Sequence, residues 1–256
     1  MIERRMATDS RPGERQYHLQ VGPGEVGRYV LMPGDPARTD LIARRLDAPR
    51  LVAHNREFRT WTGLLKGEPV SVVSTGVGSP SAAIAVVELL RLGVQTLVRV
   101  GSCGSLQRSV SDGDLVVVTG AVRDEGTTKQ YVPVEYPAVA HPKVMAALDA
   151  AARAAGGRRH MGIVYCKDAL TAAFPTKDIP LYDQLMQRTR AWIKAGVLAS
   201  EMESAVIFVL ASIAGVRAGS ILQCIGSGSE SDRARFDRLI DVAVDGVARL
   251  IAGGLE

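Results

Sequence analysis

The sequence predicts a single α/β domain built on a mostly parallel β-sheet. Short apolar runs alternate along the chain with segments of helical periodicity, which is the pattern of repeated strand–helix units. The 256 residues fit one α/β domain, and neither an internal repeat nor a Pro/Gly/Ser-rich linker divides them. We therefore expect a basic N-terminal tail over residues 1–17 and one folded domain over residues 18–256.

Six apolar runs are expected to form the strands of this sheet. They are Tyr29–Met32, Val70–Ser74, Thr96–Val100, Asp114–Thr119, Gly162–Cys166 and Ala218–Ile225. Helices are expected at Pro80–Leu92, at Pro142–Ala155, at Ser204–Ala214 and around the periodic apolar residues of 236–250. The irregular stretches Asp124–His141 and Leu170–Pro180 are longer than ordinary connections, so they are candidate site loops.

The composition is that of an ordinary globular protein and excludes several classes. The chain is 46% apolar and 23% charged, and its 31 basic and 27 acidic residues leave a formal net charge of only +4. Because the charge is dispersed, no nucleic-acid partner is expected. No apolar run approaches the ~18 residues of a membrane span, and the N-terminus lacks the apolar core of a secretory signal. We therefore expect no membrane partner and a cytoplasmic location.

The three cysteines and four histidines indicate neither a disulfide framework nor a metal site. Cys103, Cys166 and Cys224 are far apart and form no C-x-x-C pair. The histidines are scattered, and no H-E-x-x-H motif is present. We expect buried thiols and no metal.

The segment Pro33–Arg38 follows an expected strand and opens a helix. Asp35 is placed as the N-cap, and Pro36 occupies the first helical position. Gly34 would let an anion approach the backbone closely, and Arg38 on the first turn could add a charge-assisted bond to phosphate. The alternative is a well-capped helix that carries a solvated arginine.

Arg99 interrupts an apolar run in what should be a central strand. A charge buried there costs on the order of several kcal/mol unless it meets an anion. The small residues of Gly101–Ser105 follow directly and could form an anion-binding loop, with the Ser102 hydroxyl as an extra donor. The alternatives for Arg99 are a strand end that reaches water and an internal carboxylate that pairs with it.

Two acidic residues, Glu201 and Glu203, precede the apolar helix expected at Ser204–Ala214. With Ser200, Glu203 has the S-x-x-E spacing of a capping box, and capping alone could explain it. As a cluster, the two carboxylates could instead accept hydrogen bonds from both hydroxyls of a vicinal diol.

Six spaced segments together resemble the nucleoside phosphorylase family that contains uridine phosphorylases and hexameric purine nucleoside phosphorylases. The segments are P-G-D-P-x-R at 33–38, N-R-E-F-x-T-W at 55–61, S-T-G-V-G-x-P-S at 74–81, R-V-G-S-C-G at 99–104, Y-P-A-V-A at 136–140 and E-M-E-S-A at 201–205. Their order matches the family over most of residues 18–251. The resemblance implies the fold of that family, a central twisted mixed β-sheet flanked by helices.

The resemblance also implies a phosphate site shared between two subunits. In the family, phosphate is held by the glycine and arginine of P-G-D-P-x-R, by the arginine of R-E-F from a neighbouring subunit, and by the arginine and hydroxyl of R-x-G-[ST]. These positions are Gly34, Arg38, Arg56, Arg99 and Ser102. Nucleosidases of the same fold use water and lack this arginine set, so its presence favours phosphorolysis over hydrolysis.

The ribose site is implied in the same way. In the family, the second glutamate of E-M-E holds the sugar, the methionine lies beneath it, and a histidine near the N-terminus of the neighbouring subunit contributes. Here these are Glu203, Met202 and His18. Arg99 and Glu203 are therefore the expected catalytic residues. The shared site implies a homo-oligomer, expected to be a hexamer built as a trimer of dimers.

The base site departs from the family's pattern. Uridine phosphorylases carry a G-Q-x-R segment that hydrogen-bonds uracil where this chain reads D-I-P-L at 178–181, and the acid that purine enzymes use in the strand-end segment 223–226 is also absent. Phe174 is a candidate for stacking on the base. Ile225, near the position of the missing acid, resembles the residue that pyrimidine enzymes carry there. Four polar residues nearby could replace the missing uracil contacts, although we interpret them as a solvated helix face. They are Gln184, Gln187, Arg188 and Arg190.

The activity implied by the resemblance is phosphate-dependent cleavage of the N-glycosidic bond of uridine, giving free base and ribose 1-phosphate. Inorganic phosphate is the co-substrate, and no cofactor is expected. A purine nucleoside phosphorylase is the alternative within the family. A catalytically weak nucleoside-binding protein is the alternative outside the enzymes, because losing a base anchor can remove leaving-group stabilisation while ribose binding survives.

Overall fold

The structure, a computed structural model, describes residues 13–226 and 231–254. Residues 1–12, which make up most of the expected basic tail, lie outside the described residues. Within the described ranges, ten strands form one mixed sheet with helices packed on both faces. This architecture confirms the predicted fold class.

The strands differ from the prediction mainly at their ends and in four additions. They are β1 (Tyr29–Met32), β2 (Asp47–Asn55), β3 (Phe58–Leu65), β4 (Glu68–Val73), β5 (Thr96–Ser105), β6 (Leu115–Arg123), β7 (Ala138–Val139), β8 (Arg159–Cys166), β9 (Ala199–Glu201) and β10 (Arg217–Cys224). The six predicted strands are β1, β4, β5, β6, β8 and β10. The sequence did not predict β2, β3, β7 or β9.

The sheet is partly closed on itself. Its strands lie in the order β10-β6-β8-β9-β5-β1-β4-β3-β2, and β7 pairs with β6. Because β10 also pairs with β5, the strands β5, β10, β6, β8 and β9 close into a ring. In the ring, β5 and β10 run parallel, as do β6 with β8 and β8 with β9. The carboxyl ends of β1, β5 and β10 therefore meet at one edge.

The helices cover both faces of the sheet. They are α1 (Pro36–Ala43), α2 (Ser79–Arg91), α3 (Pro142–Ala154), α4 (Tyr182–Lys194), α5 (Ser204–Ile213) and α6 (Ser231–Ala252), with short 3₁₀ turns at Thr128–Gln130 and Leu170–Ala173. One core layer lies under α2 and α5, and the other lies under α1, α3 and α6. No helix in the described ranges is both long and apolar enough to cross a bilayer.

The segment Gly101–Ser105, expected as a loop, is the second half of β5. Gly101 and Ser102 pair with β10, and Gly104 pairs with Ser200 of β9. The expected anion-binding loop is therefore wrong, because pairing with two other strands keeps this glycine-rich stretch extended within the sheet.

The hairpin of β2 and β3 carries one predicted site residue at its tip. Asn55 pairs with Phe58, so Arg56 and Glu57 alone form the turn. Arg56 has a φ of 54°, a left-handed conformation that is uncommon for a residue other than glycine. Its side chain is exposed there. Most of β2 is also exposed, so the hairpin lacked the apolar pattern by which a strand is recognised.

Candidate active site

A pocket of about 660 Å³ lies at the edge where the parallel strands end, a common place for ligands in α/β proteins. Its volume is that of a small-molecule site. All predicted site residues except Arg56 and His18 line it, namely Gly34, Arg38, Arg99, Ser102, Phe174, Met202, Glu203 and Ile225. The structure thus brings together residues that are nearly two hundred positions apart in the chain.

Arg99 lies in the wall of this pocket and is buried. Its Nε donates to Glu201 Oε2 at 2.9 Å, and its Nη2 pairs with Glu203. Its Nη1 is buried without a hydrogen-bond partner among the described residues. Burial lowers the pKa of the guanidinium, but Glu203 and Glu201 outweigh burial and raise it, so Arg99 stays charged. The internal-carboxylate alternative is thus realised, and one nitrogen still lacks an acceptor.

Gly101 makes room for the Arg99 guanidinium. A Cβ atom at Gly101 would lie 2.8 Å from both Cζ and Nη2 of Arg99, closer than unbonded atoms allow. The glycine after the arginine in R-x-G is therefore required sterically, and a larger residue would push the guanidinium away from its carboxylates.

Glu201 fixes Arg99 and also caps α5. Its carboxylate accepts hydrogen bonds from the backbone N–H groups of Glu203 and Ser204, each at 2.9 Å, in addition to the bond from Arg99. The capping-box interpretation of Glu203 is therefore wrong, because Glu201 supplies the carboxylate at the start of this helix. With its acceptors used in this way and its side chain fully buried, Glu201 leaves Glu203 as the carboxylate available to a diol.

Glu203 is held between a backbone amide and Arg99. Its Oε1 accepts a hydrogen bond of 2.5 Å from the backbone N–H of Gly78, which lies in the turn before α2. Burial raises the pKa of the Glu203 carboxyl, and the negative charge of Glu201 adds to this, whereas Arg99 and the Gly78 amide oppose it. Met202 lines the pocket beside this carboxylate.

Arg38 brings a second guanidinium group to the pocket. The predicted cap is present, since Asp35 Oδ1 accepts from the Ala37 N–H at 2.9 Å. The Arg38 guanidinium lies over the Phe236 ring, 4.0 Å from its centroid, and within the described residues it forms no ion pair. Burial lowers its pKa; Asp35 opposes this, and the positive charge of Arg99 lowers it further. Two guanidinium groups therefore line one pocket, which favours an anionic ligand.

Arg56 and His18 lie outside the pocket of their own chain but close to each other. The Asn55 side-chain amide, next to Arg56, donates to the backbone carbonyl of His18 at 2.8 Å. The buried Glu88 accepts from the backbone N–H of Leu19 at 2.8 Å, and its Oε1 lies 2.7 Å from His18 Nδ1. Glu88, which the sequence analysis missed, therefore sets the orientation of the histidine. The assignment of both residues to a neighbouring subunit's site stays a prediction.

The two residues expected to meet the base line the pocket with apolar side chains. Phe174 lines it and is 57% exposed, so it is not a residue of the protein core. Ile225 also lines the pocket, directly after β10. The four polar residues of α4 weighed as displaced base contacts, Gln184, Gln187, Arg188 and Arg190, are exposed and do not line the pocket, which favours their interpretation as a solvated helix face. Arg188 pairs instead with Asp124 at 2.8 Å.

Lys167 is a pocket residue that the sequence analysis did not identify. It follows β8 directly, is only 3% exposed and lines the cavity. A lysine at the end of an apolar strand run is the same kind of signal that identified Arg99. As for metal binding, the described residues contain no group of three or more His, Cys, Asp or Glu side chains that could hold an ion.

The fold and the pocket define an α/β protein whose strand-end site combines two arginines with a buried pair of carboxylates. A family model described as "Phosphorylase superfamily" matches residues 28–252. The chain therefore belongs to the phosphorylase superfamily, and the predicted resemblance is confirmed.

The curated relatives cover nearly the whole chain. A uridine phosphorylase from Treponema pallidum is 44% identical over 92% of this chain and 94% of its own length. A guanosine phosphorylase from Halorubrum lacusprofundi is 40% identical over 93% of this chain and 95% of its own. The crystal structure of uridine phosphorylase from Vibrio fischeri matches with a TM-score of 0.82 and 30% identity, covering 96% of this chain and 100% of that one. These relatives confirm the predicted enzyme class, a pentosyltransferase of the uridine phosphorylase type.

Proposed function

We propose that the protein catalyses the phosphorolysis of uridine, giving uracil and ribose 1-phosphate. The observation that carries this proposal is the convergence of Arg38 and Arg99 on a pocket that also holds the Glu203 carboxylate. Two cations suit a phosphate dianion, and a carboxylate suits the hydroxyl protons of a ribose. The relatives named as uridine phosphorylases support uridine as the nucleoside.

In the reaction, a phosphate oxygen attacks C1′ of the ribose as the glycosidic bond lengthens. The phosphate is held by Gly34, Arg38, Arg99 and Ser102 of one subunit and by Arg56 of a neighbouring subunit. Positive charge develops on the sugar as it becomes oxocarbenium-like, and the fixed dianion both stabilises that charge and supplies the nucleophile. Glu203 accepts hydrogen bonds from the ribose, Met202 lies beneath it, and His18 of a neighbouring subunit completes the ribose site. Inorganic phosphate is a co-substrate, and no cofactor takes part.

The active enzyme is a cytoplasmic homo-oligomer with shared sites, in our proposal a hexamer built as a trimer of dimers. Arg56 and His18 support this arrangement, because the segments that carry them are hydrogen-bonded to each other and neither residue lines the pocket of its own chain. Apolar side chains on the surface add support, since each of a set of large residues is about half exposed: Tyr131, Val134, Val139 and Ile213. The partner is a second copy of this chain.

Two alternatives differ from uridine phosphorolysis in the base or in the rate. The relative named as a guanosine phosphorylase favours a purine substrate, and the missing G-Q-x-R segment fits that alternative. A nucleoside-binding protein with little activity would also lack a base anchor.

Release of free base from a panel of uridine, thymidine, cytidine, inosine and guanosine, each with and without phosphate, tests the proposal. We expect uridine to be cleaved only when phosphate is present, with ribose 1-phosphate formed in equal amount. Release that is independent of phosphate would refute phosphorolysis. Faster cleavage of guanosine than of uridine would identify a purine enzyme, and binding without turnover would identify a binding protein.

A further inference from the structure

We propose that Lys167 is the base anchor of this site, donating a hydrogen bond to the carbonyl oxygen of a pyrimidine next to its glycosidic nitrogen. The inference rests on the proposed function and goes beyond it by assigning base recognition to a residue outside the G-Q-x-R and strand-end acid positions, which this chain lacks. It also narrows the substrates to nucleosides whose base has an O2 carbonyl.

The position of Lys167 is set by the strand that precedes it. β8 ends at Cys166, and the backbone N–H of Lys167 donates to the Glu201 carbonyl at 3.2 Å. The chain then continues through the 3₁₀ turn Leu170–Ala173 to Phe174, the candidate for base stacking. Lys167 is thus tied to the segment that holds the ribose and begins the segment that meets the base.

The Lys167 ammonium has no hydrogen bond or ion pair with any described residue, although its side chain is buried in the pocket wall. The nearby carboxylates are committed elsewhere, since Glu201 accepts from Arg99 and the start of α5, and Glu203 accepts from Gly78 and Arg99. Three N–H donors of the ammonium are therefore free for a ligand.

The charges of Glu201 and Glu203 favour the protonated form of Lys167, although neither carboxylate accepts a hydrogen bond from it. Burial lowers the pKa of Lys167, and the negative charges of Glu201 and Glu203 oppose that lowering. Lys167 lines the pocket without a protein acceptor for its ammonium, so a ligand carbonyl can accept its hydrogen bond. Like Arg99, Lys167 is a charged residue that adjoins an apolar strand run and lines the pocket.

The O2 carbonyl is the pyrimidine acceptor closest to the ribose, because C2 is bonded to N1 and N1 carries C1′. When the N1–C1′ bond breaks, its electron pair goes to the base, and the negative charge spreads over N1, O2 and O4. A phosphate oxygen forms the new bond to C1′. The Lys167 ammonium stabilises the uracil anion through O2, and the released anion takes its proton from water.

Three variants of the full-length enzyme test this assignment. Lys167→Met removes the charge and the donors at similar volume, Lys167→Gln keeps an N–H donor without charge, and Lys177→Met removes a lysine charge from an exposed position of the same loop. For each, kcat/KM is measured with uridine and with 5-fluorouridine at saturating phosphate, and Kd is measured for ribose 1-phosphate, which has no base.

We expect Lys167→Met to lose about 100-fold in kcat/KM for uridine, as when one preorganised donor is removed. The loss should be smaller with 5-fluorouridine, because its base is a better leaving group that needs less stabilisation. The Kd for ribose 1-phosphate should stay unchanged, which also shows that the variant is folded. Lys167→Gln should lose less than Lys167→Met, and Lys177→Met should match wild type.

The results that would contradict the role of Lys167 differ from those that would contradict uridine phosphorolysis. An equal loss with the two nucleosides, weaker binding of ribose 1-phosphate, or no loss at all would overturn the role of Lys167 while phosphorolysis stands. Wild-type enzyme that cleaves no uridine in the presence of phosphate would overturn both.

Discussion

Replacing Arg99 with methionine should separate the proposed task of this side chain, binding phosphate, from its observed task of balancing buried carboxylates. Its Nε and Nη2 pair with Glu201 and Glu203, whereas its Nη1 has no partner in the described part of the chain. Methionine fills part of the same volume without charge. Both carboxylates would therefore lose their cation, and phosphate would lose a donor.

The two losses have different sizes and should be measurable separately. Removing one partner of a buried ion pair costs about 3–5 kcal/mol of unfolding free energy. We expect a value near the lower end, about 3 kcal/mol, because Glu201 keeps its bonds from α5 and Glu203 keeps its bond from Gly78. Losing one preorganised donor lowers kcat/KM for phosphate on the order of 10²–10³-fold.

The double variant Arg99→Met/Glu203→Gln distinguishes these effects. It removes one unpaired buried charge, so it should regain about 0.5–3 kcal/mol of stability relative to Arg99→Met, the range of coupling between contacting residues. It should regain no kcat/KM for phosphate. Urea unfolding at one protein concentration gives the stabilities, and steady-state kinetics with varied phosphate give kcat/KM. Wild-type stability in Arg99→Met would refute the buried charge cluster, and kcat/KM within about threefold of wild type would refute the phosphate role.

Three further predictions test other parts of the site and fold. Mixed oligomers of inactive Arg56→Ala and inactive Arg99→Ala should regain some activity, because a shared site can then draw one intact residue from each subunit; an active monomer in sedimentation would contradict this. Phe174→Ala should raise KM for every accepted nucleoside and leave KM for phosphate unchanged, whereas lost stability with unchanged KM would contradict stacking. His141 caps α3 by accepting from the Lys143 N–H at 3.3 Å, and burial together with neighbouring cations lowers its pKa below the usual 6.5. Its contribution to stability is therefore present above pH 6.5 and is lost as pH falls through the lowered pKa of the folded state. His141→Asn keeps a capping side chain that does not titrate, so Tm of wild type minus Tm of the variant should fall between pH 7.5 and pH 5, and a constant difference would contradict it.

The central strands could be predicted because a strand that is buried on both faces consists mostly of apolar residues. β1 and β10 are buried along their whole lengths and therefore read as nearly unbroken runs of small and apolar residues. β2 is mostly exposed, so no such run marks it. The second half of β5 consists of small residues whose extended conformation depends on pairing with β9 and β10, and distant pairing leaves no local pattern.

The site shows the same division between local and distant causes. Arg99 could be predicted from its neighbours alone, because a charge within an apolar run must be neutralised somewhere. Its partner could not, since Glu201 lies 102 residues away and the S-x-x-E spacing from Ser200 indicated Glu203 as the capping carboxylate. Likewise, no local pattern around His18 predicts its contact with Glu88, which lies 70 residues further along the chain. Residue types show that a partner is needed, and only the fold shows which residue it is.

In the proposed function, Arg99 and the two glutamates join the phosphate and ribose sites into one charged unit. Arg99 contacts both carboxylates, and Glu203 in turn depends on the Gly78 amide for its position. An anion at Arg99 competes with Glu203 for the positive charge of the guanidinium, so bound phosphate makes Glu203 a stronger acceptor for ribose hydroxyls. A ribose that draws on Glu203 in turn leaves more of the Arg99 charge for phosphate. Each substrate should therefore tighten the binding of the other. If both substrates interact with Arg99 or its partner Glu203, thermodynamic linkage makes the two effects equal in size.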